Sequence, residues 1–221
     1  MDSSPGPVRE LQAGLWHWTA LHPDWAPGNP ADRGARVSSY AIDDGSRRLM
    51  LLDPLAVPRE IQELAANRET VVLLTCPWHE RDTRLLVDRF GASVFVPPPD
   101  EGSPDVAWLM AGGKRNAHVF RAGDRLAVGV TVFPGKDVND VALWVEGRHV
   151  VVLGDTVIER DGELQIPEDW LSDGVSRDDV IELLSPVLDF PVEHVLPTHG
   201  EPTDLAALAR ALGGRTRTAP T

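Results

Sequence analysis

An α+β architecture, with two mixed sheets and helices on their outer faces, is what the residue pattern predicts. Three observations predict it. Short β-branched apolar runs such as Thr70–Thr75 read as strands buried on both faces. Helical apolar spacing recurs between such runs in both halves of the chain. The order of hairpins, αβ units, a strand meander and a last αβ unit suits two sheets packed face to face, an αββα sandwich.

Taken in order, Leu15–Ala20 alternates as Leu-Trp-His-Trp-Thr-Ala and reads as a strand, with Trp16 and Trp18 on one face and more suited to core than to pocket. A Pro- and Gly-rich loop follows over His22–Gly34. Val37–Ile42 and Arg48–Leu52 make a hairpin about Asp43-Asp44-Gly45-Ser46, a good turn sequence. Pro58 opens a helix to about Asn67, because a residue without an N–H is tolerated in a first turn. Asp82–Phe90 carries Leu85, Leu86 and Phe90 on a helical face, with Asp82 as N-cap and Gly91 as C-cap. Strands are expected at Ser93–Val96, Ala117–Phe120, Leu126–Phe133, Val141–Glu146 and His149–Leu153. A helix at Arg177–Leu188, a strand at His194–Leu196 and a helix at Asp204–Leu212 close the chain. Residues 8–212 read as a single domain, with disordered tails over 1–7 and 213–221.

Composition narrows the function classes. A net charge of −13 repels phosphate backbones, so nucleic acid is not an expected partner, and the acidity serves solubility. The longest apolar runs, such as Val150–Leu153, are strand length and exclude a bilayer span. No basic segment leads into an apolar stretch at the start, so no secretory leader is expected. The single cysteine, Cys76, excludes an internal disulfide framework and suits a reducing cytoplasm.

Chemistry-bearing residues gather at strand ends. In chain order these are Leu51-Leu52-Asp53-Pro54, Thr75-Cys76-Pro77-Trp78-His79-Glu80-Arg81-Asp82, Phe133-Pro134-Gly135-Lys136, Val152-Leu153-Gly154-Asp155-Thr156 and Val195-Leu196-Pro197-Thr198-His199-Gly200. Together they resemble the landmark loops of the metallo-β-lactamase fold superfamily, over roughly two thirds of the chain. The resemblance implies a metallo-β-lactamase-like sandwich with its site at these loops. It also exposes departures. Aligned on Thr75, the family's His-x-His-x-Asp-His becomes Cys76, Trp78, Glu80 and Arg81, and Lys136 stands for the His of a Pro-Gly-His turn. A one-residue slip instead places His79 on the second His and Asp82 on the last carboxylate position. Asp155 and His199 are retained. The resemblance therefore does not carry over two-zinc hydrolysis.

Two readings of the remodelled site stay open. In one, a single divalent ion (zinc, iron or manganese) takes Asp155, His199 and either Glu80 or His79. In the other, which is favoured, no metal binds, and Lys136 and Arg81 hold Asp155 as a charge network where ions would stand. His79, Asp155 and His199 are the candidate catalytic residues, with His199 alternatively a structural partner of Asp155. Arg81 and Lys136 are candidate anion anchors, and Trp25, Trp78 and Trp170 candidate walls of an apolar pocket. Cys76 reads as a small buried residue rather than a nucleophile. The function implied is a hydrolase-like protein for a small ester, amide, thioester or lactone; the alternative is a non-catalytic small-molecule-binding protein.

Overall fold

Strand and helix signals translate into structure where apolar periodicity and turn chemistry agree. The computed structural model describes residues 4–22, 35–101, 106–111 and 117–214. The contacts within the expected single domain cluster into two compact units, Met1–Arg121 and Ala122–Thr221. The fold is α+β, with mixed sheets and helices.

The first unit is built on a seven-stranded sheet that follows chain order: β1 (Arg9–Gln12), β2 (Leu15–Leu21), β3 (Arg36–Asp43), β4 (Arg48–Leu52), β5 (Glu69–Leu73), β6 (Ser93–Val96) and β7 (Ala117–Val119). The first four strands pair antiparallel, with short connections between β1 and β2 and between β3 and β4. From β4 to β7 the pairing is parallel. Helices α1 (Arg59–Ala65), α2 (Thr83–Phe90) and α3 (Ala107–Ala111) belong to the connections of this half. Trp18 is buried in the core of this unit and Trp16 packs against it, as their shared strand face predicts. The Trp18 indole N–H donates to the Leu55 carbonyl at 2.8 Å, so the one polar atom of a large buried ring is satisfied.

Three differences from the expected pattern have local causes. Strand β1 has a polar sequence, Arg-Glu-Leu-Gln, and forms because β2 offers it an edge; just before it, the Gly6 N–H donates to the Thr19 carbonyl at 2.7 Å. Helix α1 starts after Pro58, which sits at the N-cap rather than inside the first turn. Asp82 occupies the N-cap position of α2 without capping it: no side-chain cap bond forms, and its carboxylate accepts the Val57 N–H at 3.2 Å. Gly91 ends α2 in the left-handed conformation, φ 66°, as expected of a C-cap glycine.

The second unit holds a five-stranded sheet in the order β14-β11-β10-β9-β8 and a small hairpin, β12 with β13. Its elements are β8 (Arg125–Leu126), β9 (Val130–Pro134), β10 (Val141–Val145), β11 (Val150–Leu153), β12 (Ile158–Arg160), β13 (Glu163–Gln165), α4 (Arg177–Leu184), β14 (His194–Pro197) and α5 (Leu205–Ala211). The strand expected over Leu126–Phe133 is two strands, because Gly129 at φ 78° turns the chain between them. The β12–β13 hairpin escaped the pattern reading, its strands being only three residues each. The helix expected to reach Leu188 stops at Leu184 and continues as a 3₁₀ turn over Ser185–Asp189. Pro186 lacks the N–H that the next α-helical bond requires. Ser176 and Asp179 close a reciprocal capping box at the start of α4, and Asp204 caps α5 by accepting the Ala207 N–H.

Gly200 ends the loop that follows β14. Its φ is 102°, and a Cβ there would lie 2.4 Å from the Glu159 carbonyl oxygen. Gly200→Ala is therefore expected to cost at least about 1–3 kcal/mol of unfolding free energy, the usual strain of a non-glycine residue in such a conformation, read from urea midpoints. A variant as stable as the parent would show that this turn does not constrain the loop.

Candidate functional site

A parallel strand pair sends both of its outgoing loops off the same sheet edge, and one such pair in each unit carries candidate site residues. In the first unit β4 and β5 are parallel with Leu52 opposite Leu73, so Asp53 and the Thr75 loop emerge together. In the second, β11 and β14 are parallel with Leu153 opposite Pro197. Asp155 and His199 each lie two residues beyond that last pair.

Asp53 is fully buried, and its carboxylate organises the first loop. Oδ1 accepts the Thr75 N–H at 2.9 Å, and Oδ2 accepts the Thr75 hydroxyl at 2.5 Å. Oδ2 also lies 3.2 Å from Nδ1 of His79. A buried carboxylate with three donors is compensated, and a His that donates Nδ1–H to it carries its lone pair on Nε2. His79 is itself buried, in the 3₁₀ turn Pro77–His79, with the Trp78 ring edge-on at 6.3 Å.

Arg81 and Glu80 have local partners. One Arg81 guanidinium nitrogen donates to the Asp53 carbonyl at 2.7 Å and to the Ser38 carbonyl at 3.3 Å. Both Asp53 and Arg81 sit at φ 43°, so this bond ties together two residues in a conformation that favours glycine. Glu80 accepts the Val106 N–H at 3.1 Å through Oε2 and the Trp108 indole N–H through Oε1. Val106 is β-branched at φ 49°, a strained residue that Glu80 holds. The Asp82 carboxyl lies above its ordinary range, pushed up by burial against the lowering effect of the Val57 and Ala56 N–H groups and the Arg81 charge.

In the second unit, Nε2 of His199 lies 3.3 Å from Oδ1 of Asp155, and both residues are buried. The Trp170 ring stands edge-on to His199 with centroids 5.3 Å apart. The His199 carbonyl accepts the Glu159 N–H at 2.8 Å, which fixes the loop from below. The turn between β9 and β10 meets the same edge. There the Lys136 N–H donates to the Thr156 hydroxyl at 2.8 Å, and that hydroxyl donates to Asp140 at 2.7 Å. Gly135 is needed for this approach, since a Cβ would fall 2.3 Å from the Thr156 oxygen. The Lys136 ammonium pairs with Asp137, which also accepts the Ser172 hydroxyl.

Burial alone would lower the Lys136 pKa, but the Asp137 hydrogen bond and the charges of Asp140, Asp137 and Asp155 outweigh it and raise the group above its ordinary 10.5. Lys136 is thus a cation at neutral pH, paired with Asp137 and within electrostatic reach of Asp155.

The structure brings Lys136, Asp155, His199 and Trp170 to one sheet edge of the second unit, and Trp78, His79, Glu80 and Arg81 to one edge of the first. Trp25 lies outside the described residues. The sequence reading missed the work of Asp53, Thr75, Thr156 and Asp140. For Asp53 a signal existed, an acidic residue directly after the apolar β4.

Comparison with solved structures gives the fold its name. The chain is similar to VMB-1, at 12% identity over 96% of this chain and 97% of that one, with a TM-score of 0.65. It is similar to a metallo-β-lactamase from Hirschia baltica, at 16% identity over 94% and 96%, TM-score 0.62. It also matches TTHA1623 in a di-iron-bound form, at 24% identity over 80% and 93%, TM-score 0.57. The chain has the metallo-β-lactamase fold. No protein-family model and no curated protein matches its sequence.

The raised Lys136 pKa sets a testable pH dependence. The stability it contributes is fully present below 10.5 and is lost as pH rises through the higher folded value. The chain has only one other lysine, Lys114, and one tyrosine, so little else titrates there. Lys136→Met is expected to lower stability at pH 8, measured by urea unfolding, with the gap to the parent closing above pH 10.5. A gap that is constant with pH would mean that the ion pairs of Lys136 contribute nothing.

Proposed function

We propose that the protein is a hydrolase on the metallo-β-lactamase fold with a remodelled site, acting on a small ester, amide, thioester or lactone. The observation that carries this reading is the buried Asp155–His199 contact at the carboxyl ends of a parallel strand pair, beside a cation. Packing alone does not require an acid and an imidazole to be buried together; acid–base or ligand chemistry does.

A two-metal site does not fit this donor set. At the positions where the resemblance expects histidines, Trp78 has no donor atom, Arg81 bonds two carbonyls, and Lys136 stays protonated. Both Glu80 oxygens hold backbone and indole N–H groups. Residues of ligating type remain within each unit: Cys76 and His79 in the first, Asp155 and His199 in the second, all buried. A divalent ion, when bound, lowers the pKa of a water so that hydroxide is available near neutral pH.

The chain's own residues support the rest of the reaction. His199, oriented by Asp155, takes a proton from water as the oxygen attacks the carbonyl carbon, and returns it to the leaving group as the acyl bond breaks. Lys136 offsets negative charge on the carbonyl oxygen. Within the first unit, His79, held through Nδ1 by Asp53, is a separate candidate base. A non-catalytic binding protein is the second reading, and the permanent Lys136 cation beside Asp155 favours it, since such a charge repels a metal.

Metal content of protein purified without chelator or tag separates these readings, with Asp155→Asn, His199→Ala, Cys76→Ser and His79→Ala alongside. About one zinc, iron or manganese per chain, lost in Asp155→Asn and His199→Ala, supports a mononuclear hydrolase. Loss in Cys76→Ser and His79→Ala instead would place the ion in the first unit. Metal-free protein that still turns over p-nitrophenyl esters or lactones, with turnover abolished in His199→Ala, supports the metal-free form. Neither metal nor turnover over such a panel sinks the hydrolase reading in favour of binding.

A further inference from the structure

A recess lies within the C-terminal unit, and none of the candidate catalytic residues lines it. It is a cleft of about 350 Å³ between β13, the turn at Glu168, the start of α4 and the end of α5. That volume falls at the small end of ligand pockets, which run roughly 300–1,000 Å³. Its walls carry two cations and two anions: Arg177, Arg210, Glu163 and Glu168, with Gln165 between them. Leu164 and Ala207 supply a short apolar floor.

The charges do not neutralise one another. Among the described residues no ion pair within 4.0 Å joins either arginine to either glutamate. Arg177 instead spends one nitrogen on the Ala211 carbonyl at the end of α5, at 2.8 Å, which fixes its guanidinium at the cleft wall. That bond leaves most of its five donors for other partners. Arg210, Glu163 and Glu168 are exposed. A lone anion in this cleft meets two repelling carboxylates, and a lone cation meets two repelling guanidiniums. A molecule bearing both charges meets a partner for each.

We propose that this cleft is a binding site for a small zwitterion of dipeptide size, its carboxylate on Arg177 and Arg210 and its ammonium on Glu163 and Glu168. The site stands apart from the hydrolase reading and does not depend on it. The two places are nevertheless linked by one short turn. Glu168 and Trp170 share a 3₁₀ turn, so the residue that lines the cleft and the ring that packs on His199 move on the same piece of chain.

Calorimetric titration of the full chain with alanyl-alanine, N-acetyl-alanyl-alanine and alanyl-alanine amide tests the assignment. The free dipeptide is expected to bind at one site, and each blocked form about tenfold more weakly, the loss of one charge-assisted contact. Arg210→Gln and Glu163→Gln change exposed side chains, and each is expected to weaken the free dipeptide about tenfold at an unchanged melting temperature. No saturation by about 10 mM dipeptide, equal binding of either blocked form, or wild-type affinity in either variant would overturn the proposal.

Discussion

Parallel strand register is the constraint on which the rest of this molecule depends. Two parallel strands in register must release their chains at the same edge, so residues one or two positions beyond the last pair become neighbours without any tight turn to force them together. The Leu153–Pro197 pairing does this for Asp155 and His199, and the Leu52–Leu73 pairing does it for Asp53 and the Thr75 loop. The Asp155–His199 and Asp53–Thr75 contacts hang from those two registers. The apolar runs that fix them, Leu49–Leu52, Val71–Leu73, Val150–Leu153 and Val195–Leu196, are almost free of solvent exposure. Because both faces of these runs are buried, side chains of fixed shape pack on each side, and a slip by one residue would exchange the two packed faces.

Charge is managed differently in the two units. In the first, a buried carboxylate is met by neutral donors and by His79, and the one nearby guanidinium spends itself on main-chain carbonyls. In the second, carboxylates gather round a single ammonium, and a threonine hydroxyl distributes the hydrogen bonds. The first arrangement fixes a ring and a peptide; the second fixes a charge. Neutral donors satisfy Asp53 at little electrostatic reach, whereas Lys136 projects its field onto Asp155.

Much of the fold was legible because it rests on local signals. Ser93–Val96 matches its expected span, and Gly91 caps the helix it was read to cap. Elements that form only because a neighbour offers an edge were not legible: polar β1 beside β2, and the three-residue strands of the β12–β13 hairpin. Of the candidate site, Asp155, His199 and Lys136 could be found from strand-end motifs. The partners of Glu80, Arg81 and Asp82 could not. Their side chains answer to backbone groups brought near by tertiary structure, Val106, Asp53 and Val57, and no spacing along the chain announces such pairs. Asp82 shows the point most plainly, since the best N-cap residue type stands at the N-cap and bonds elsewhere.

The bonds made by Glu80 and Arg81 also tie chemistry to architecture in this loop. Arg81 steadies the strained Asp53 peptide, and Glu80 restrains Val106. Removing either side chain would release a segment held in a conformation that favours glycine. A substitution made at either position for its charge therefore alters the folding free energy of the first unit as well, so the two effects cannot be varied independently there.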